Sequence, residues 1–161
     1  MTEFNAFETR ASLMQAAAAR IADALQRGIA ERGEGFAALS GGGTPAPAYE
    51  ALAALPLDWP RVTFLLVDER FVPPTDPASN ELMLRRTLAP ALTAGAGLAG
   101  MYSNDSLPAA AARADALYAA LPIDIAIMGM GGDGHTASWF PQSAELQTAL
   151  ASGAPRSVIA V

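Results

Sequence analysis

The sequence predicts an α/β fold, a Rossmann-like and mostly parallel sheet flanked by helices on both faces. Three observations predict it. Phe36–Leu39, Arg61–Val67 and Ile123–Met128 are short, largely apolar runs, which suit strands covered on both faces better than strands with one wet face. Helical segments separate these runs, and strand–helix alternation reads as right-handed βαβ units in a parallel sheet. Each run also ends directly in a glycine-rich or charged loop, at the carboxyl ends of the strands where such folds bind ligands.

Taken in order, Glu8 to Arg32 reads as one long amphipathic helix, with Leu13, Ala17, Ile21, Leu25 and Ile29 recurring every four positions. Gly33 and Gly35 stop it. The strand Phe36–Leu39 leads into Ser40-Gly41-Gly42-Gly43-Thr44-Pro45 and a helix from Ala46 to Leu55, whose first turn tolerates Pro45. Arg61–Val67 ends in Asp68-Glu69-Arg70. A proline-rich loop from Val72 to Ala78 follows, then Ser79-Asn80-Glu81 as a helix cap and a helix to Leu88. Ala94–Gly100 reads as loop and Met101-Tyr102 as a short strand. Leu107–Leu121 reads as a helix capped by Ser106. After Ile123–Met128 and the glycine turn Gly129–Gly134, a short helix is expected near Thr136, and Ser157–Val161 reads as the start of another strand.

The 161 residues suit one domain with a sizeable core. Hydrophobic residues make up 52% and charged residues 16%, a balance that belongs to folded rather than disordered chains. No run approaches the ~18 apolar residues of a membrane span, and Met1–Asn5 lacks the basic start of a signal peptide. A cytoplasmic location is the expectation. All ten basic residues are arginine; the chain has no lysine, no cysteine and one histidine, His135. Disulfides, thiolate nucleophiles, zinc knuckles and Schiff-base lysines are therefore excluded. A net charge of −6 without a basic run argues against nucleic acid as the partner. An anionic ligand would have to be held by arginine, backbone N–H groups or helix N-termini.

Three loops carry the chemistry. In Ser40–Pro45, three glycines between a strand and a helix let the backbone approach a phosphate, with the helix N-terminus behind it. The GK[ST] ending of a P-loop is absent. Gly41-x-Gly43-x-x-Ala46 and Gly129-x-Gly131-x-x-Gly134 both fit a dinucleotide fingerprint formally. Pro45 and His135 are foreign to that fingerprint, and two matches in one glycine-rich chain show how little it discriminates. In Asp68-Glu69-Arg70, Arg70 can grip a phosphate with two N–H groups, and Asp68 can bind hydroxyls or orient a base. In Gly129–Thr136, His135 is suited to take a proton from water, and Asp133 two residues away can fix its tautomer. Ser40 and Ser138 lack the setting of a nucleophile, and one histidine among scattered carboxylates is no metal site. Neither metal nor cofactor is expected.

Together Leu39–Pro45, Val67–Pro73, Ser79-Asn80 and Gly129–Pro141 resemble the 6-phosphogluconolactonase family, within the glucosamine-6-phosphate isomerase/deaminase superfamily. Arginine after Asp68-Glu69 resembles the lactonase branch, since the deaminases usually carry tyrosine there. Gly43, where serine is common, and Trp139, where leucine is common, are departures that remove no catalytic group. The resemblance implies hydrolysis of a small phosphorylated sugar lactone, 6-phosphoglucono-δ-lactone. His135, Asp133 and Asp68 would be catalytic. Ser40, Gly41, Gly42, Gly43, Thr44, Arg70, Asn80, Gly131 and Gly132 would bind substrate and phosphate, the glycine amides also stabilising the oxyanion. An amino-sugar-phosphate deaminase/isomerase and a non-enzymatic sugar-phosphate-binding module are the other readings. A monomer is expected. The resemblance further implies strands, helices and a phosphate-binding lysine beyond the position of Val161, so residues 1–161 are expected to form a single α/β domain incomplete at its C-terminus.

Overall fold

The computed structural model describes residues 3–151 and 156–161. Among them lies a four-stranded parallel sheet in the order β3-β2-β1-β4, built from β1 (Gly35–Leu39), β2 (Val62–Leu66), β3 (Gly97–Ala99) and β4 (Ile125–Ile127). The helices are α1 (Arg10–Arg32), α2 (Ala46–Ala53), α3 (Asn80–Thr87), α4 (Ala89–Thr93), α5 (Leu107–Ala119) and α6 (Leu146–Leu150). The chain steps outward from β1 to β2 to β3, then returns to place β4 on the other side of β1. That reversal makes the carboxyl ends of β1 and β4 a topological switch point, the place where doubly wound sheets open a crevice.

Strand alternation sorts the two faces. Ala37 and Leu39 of β1, with Val62, Phe64 and Leu66 of β2, face the main core, which α1 to α4 cover. Phe36, Ala38 and Leu65 point the other way, toward Tyr118 of α5. All five residues of β1 are buried, as a central strand between helical layers requires. Helices therefore lie on both faces, as the sequence predicts.

The long helix α1 begins with a capping box: Thr9 accepts from the Ser12 amide at 3.0 Å, and Ser12 returns the bond to the Thr9 amide at 3.3 Å. Gly33, at φ +86°, ends it in the left-handed conformation. Its buried residues include Met14, Ala18, Ile21, Ala22 and Leu25; of the expected stripe Ile21 and Leu25 are buried, Ala17 and Ile29 pack against the core, and Leu13 is 40% exposed and borders the cleft described below. Ile21 and Leu25 are wholly buried and each contributes about 2 kcal/mol through the area they remove from water. Asp124, just ahead of β4, accepts from the Phe36 amide at 2.8 Å and pairs with Arg32, tying the end of α1 to the start of two strands.

The structure corrects five expectations. The third strand is Gly97–Ala99, not Met101-Tyr102: it pairs with Thr63–Leu65, and small residues of weak strand propensity are recruited by that partner. No helix forms near Thr136, which instead bridges Met130 and Trp139 in a tight antiparallel turn; the helix comes later, at α6. Pro90 opens an additional short helix, α4. Strand β4 is shorter than expected and only half-buried, because it lies at an edge of the described sheet. Ser157–Val161 form no strand; the Ser157 and Val158 amides donate to Asp115 of α5.

Candidate active site

The loops after β1 and β4 meet at the switch point. Strand β1 pairs with β4 up to Leu39 and Ile127, and the Ser40 amide extends the ladder by donating to the Ile127 carbonyl at 3.1 Å. The two glycine loops then diverge around a cleft of about 550 Å³. Ser40, Gly41, Gly42, Thr44, Asp68, Arg70, Asn80, Gly131 and His135 line it. Gly43, Gly132 and Asp133 stand outside that lining. Asp68 and Arg70 also border a larger cavity of about 830 Å³, walled by α5 and residues 156–161, which His135 does not reach.

Ser40 to Thr44 form a loop with engaged carbonyls and, from Gly41 on, free amides. Tyr49, wholly buried in α2, donates to the Ser40 carbonyl at 3.0 Å and fixes the point where strand becomes loop. Burial pushes the Tyr49 hydroxyl up to about 12, so it acts as a neutral donor. The amides of Gly41 to Thr44 donate to no acceptor among the described residues. Arg10, at the start of α1, takes the carbonyls of Gly43 and Thr44 at 3.4 and 3.3 Å. Carbonyls engaged and amides free, beside the N-terminus of α2, suit the loop to a phosphate. Nothing in the local sequence around Arg10 marks this contact.

The Asp68-Glu69-Arg70 segment divides its labour. Glu69 accepts from the Ser79 hydroxyl at 2.9 Å and from the Asn80 and Glu81 amides at 2.8 Å each, so it caps α3 and holds Asn80 in place. Asn80, 4% exposed, donates through Nδ2 to the Asp68 carbonyl and carboxylate at 2.9 and 3.3 Å. Its Oδ1 accepts from Arg70 Nη1 at 3.2 Å, and the same Nη1 donates to the Ala78 carbonyl at 2.6 Å. Arg70 is thus anchored along one edge and exposed along the other. Gly41 completes the junction. A Cβ there would lie 1.8 Å from Asn80 Oδ1, so only glycine lets the loop rest against the asparagine.

His135, expected from the sequence as the base, is paired with Asp133. Its Nδ1 lies 2.5 Å from Asp133 Oδ1, and its backbone amide donates to the same oxygen at 3.2 Å. The imidazole hydrogen bond holds the Asp133 carboxyl below its ordinary range. A carboxylate only accepts, so the Nδ1 contact is a donated N–H, and in the neutral imidazole that leaves the lone pair on Nε2. The Phe140 ring packs 4.8 Å from the imidazole, and Gly131 lies under it: a Cβ there would be 2.3 Å from Cε1. The Gly131 amide is spent on the His135 carbonyl at 2.8 Å. This corrects the expectation that Gly131 donates to an oxyanion; of that pair, Gly132 alone keeps an uncommitted amide among the described residues. Among the described residues no cluster of histidine and carboxylates could hold a metal.

A switch-point cleft lined by free backbone amides, an arginine anchored through Nη1 and a histidine paired with a carboxylate places this chain among α/β proteins with a ligand crevice at the carboxyl ends of their strands. The comparisons narrow this. The chain belongs to the family of glucosamine-6-phosphate isomerases/6-phosphogluconolactonase, whose model matches residues 8–161. It is 42% identical over 161 residues to a 6-phosphogluconolactonase of Mesorhizobium japonicum, covering 98% of this chain and 68% of that protein. It is 46% identical over 132 residues to one from Pseudomonas putida, covering 81% and 54%. The crystal structure of a 6-phosphogluconolactonase from Shewanella baltica superposes with a TM-score of 0.88 at 37% identity, covering 96% of this chain and 67% of that one. The chain thus spans about two thirds of the Mesorhizobium and Shewanella proteins and about half of the Pseudomonas one.

Proposed function

We propose that this chain is a carboxylic ester hydrolase that converts 6-phosphoglucono-δ-lactone to 6-phosphogluconate, in the oxidative pentose phosphate pathway, with His135 as general base. The observation that carries the mechanism is the 2.5 Å contact between His135 Nδ1 and Asp133, which leaves Nε2 as a base at the cleft wall. Kinship with the lactonases named above supports the substrate.

The phosphate sits against the free amides of Gly41 to Thr44 and the exposed edge of Arg70. The two glycine loops leave the same end of the sheet, so a short sugar chain can span from the phosphate to His135. His135 Nε2 takes a proton from water as the water oxygen bonds to the lactone carbonyl carbon. Negative charge collects on the former carbonyl oxygen, where backbone amides stabilise it. The intermediate collapses by breaking the bond to the ring oxygen, and His135⁺ gives its proton to that oxygen. The products are a free hydroxyl and a carboxylic acid, which ionises at neutral pH. Asp133 stabilises the imidazolium between the two transfers, and general-base catalysis of this kind is worth about 10² to 10⁴ in rate.

The test is acid release from 6-phosphogluconolactone at constant pH, with ammonia release from glucosamine 6-phosphate measured alongside. Acid release that His135→Ala abolishes is expected. Ammonia release without acid release would replace this reading with a deaminase. Phosphosugar binding without either reaction would replace it with a binding module.

A further inference from the structure

The turn bearing His135 has one side-chain tie to the loop after β2 among the described hydrogen bonds, and its residue is Ser138. The Ser138 hydroxyl donates to Asp68 Oδ2 at 2.7 Å, across 70 positions of sequence, in a partly buried setting. The other oxygen of that carboxylate, Oδ1, accepts from Asn80, which in turn accepts from Arg70. One carboxylate therefore joins the base-bearing turn to the side chains that hold the phosphate-binding arginine. The backbone is bent directly beside this contact. Ala137 sits at φ +50°, the one non-glycine residue with positive φ among those described. Such a conformation is unfavourable for an alanine and persists where the surroundings over-determine it. Two residues beyond Ser138, the Phe140 ring lies against the imidazole.

We propose that Ser138 is a positioning residue for the hydrolysis: its hydroxyl tethers the His135 turn to Asp68 and so sets where the imidazole stands relative to the bound lactone. Asp68 is then a shared anchor whose two oxygens hold the two halves of the site in register. The proposal rests on the lactonase reading for its catalytic consequence, but the tether itself does not. Losing it would let the turn relax from its Ala137 kink and displace Phe140 and His135 together. The Arg70 and Asn80 side would stay fixed, because Glu69 and the Ala78 carbonyl hold it independently.

Because His135 is the only histidine in the chain, its ring signals report the tether directly by NMR. The experiment compares wild type, Ser138→Ala, Ser138→Thr, Asp68→Ala and the Asp68→Ala/Ser138→Ala double variant, measuring kcat, KM and the imidazole resonances. Ser138→Ala is expected to lower kcat by about tenfold to a hundredfold, as a displacement of about 1 Å does, with KM for the phosphorylated lactone within about twofold. Its imidazole signals should shift and broaden, and Ser138→Thr should restore both rate and signals. The double variant should be no slower than Asp68→Ala, since Asp68→Ala already removes the acceptor of the Ser138 hydroxyl. Unchanged kcat and unchanged imidazole signals in Ser138→Ala would overturn the proposal, as would failure of threonine to rescue or additive losses in the double variant. If wild type does not hydrolyse the lactone, the functional reading fails instead, and the tether is decided by the imidazole signals alone.

Discussion

His135 Nδ1 stands 2.5 Å from Asp133 Oδ1, and both residues belong to the same glycine turn. The pair is local in sequence, yet His135 lines a cleft that the loop after β1 also borders. Asp133→Asn should therefore act on chemistry rather than on binding. An amide in that place can donate to Nδ1 and favour the wrong tautomer. The expected outcome is a fall in kcat of about 10²-fold with little change in KM, measured by steady-state lactone hydrolysis. A change confined to KM would mean that Asp133 contacts substrate instead.

Arg70 should show the opposite split. Its Nη1 is anchored by Asn80 and the Ala78 carbonyl, and in the proposed reading the rest of the guanidinium grips the phosphate. Arg70→Ala is expected to raise KM for the phosphorylated lactone by about 10- to 100-fold, corresponding to one or two lost charge-assisted bonds, and to leave KM for unphosphorylated gluconolactone unchanged. Measuring both substrates decides it.

Two glycines are required by what lies against them, and they predict different defects. A Cβ at Gly41 would lie 1.8 Å from Asn80 Oδ1, and one at Gly131 would lie 2.3 Å from His135 Cε1. Gly41→Ala should displace Asn80, loosen Arg70 and raise KM. Gly131→Ala should push the imidazole from its place and lower kcat. Parallel kinetics on the two variants test whether each glycine serves the neighbour the structure gives it.

Asp124 is the test of stability without chemistry. Its side chain is 12% exposed and serves both Arg32 and the Phe36 amide. Removing it orphans a buried amide and one partner of an ion pair that solvent partly screens on the arginine side. Asp124→Ala should cost about 2 kcal/mol in denaturant unfolding while leaving kcat of the folded enzyme unchanged.

Two buried tyrosines predict the alkaline limit of stability. Burial raises Tyr49 and Tyr118 to about 12 each, above the ordinary 10 that the unfolded chain would show. A group raised in the fold contributes stability that is full below its unfolded value and is lost as pH rises through its folded value. Their contribution should therefore be constant below about pH 10 and decline between about 10 and 12, followed by tyrosinate absorbance and unfolding together. Tyr49→Phe should flatten part of that decline.

The periodic helices, the apolar strands and the loops that follow them were legible because they rest on short-range physics: side-chain period, capping and turn chemistry. Gly33 and Ser79 act at their helix ends as their residue types dictate. The absence of lysine and the single histidine limited the chemistry before any fold was known. Sheet order decided the rest. It placed the loops after β1 and β4 side by side, turned Gly97–Ala99 into a strand through its partner β2, and left β4 half-covered. It also occupied Asp68 with Ser138 and Asn80, set Arg10 on the phosphate loop, and made Gly41 indispensable through a residue 39 positions away. Local sequence carries the propensities of each segment and the identity of its reactive groups. Which of those groups share a hydrogen bond depends on segments far apart in the chain, and only the packed sheet brings them within reach.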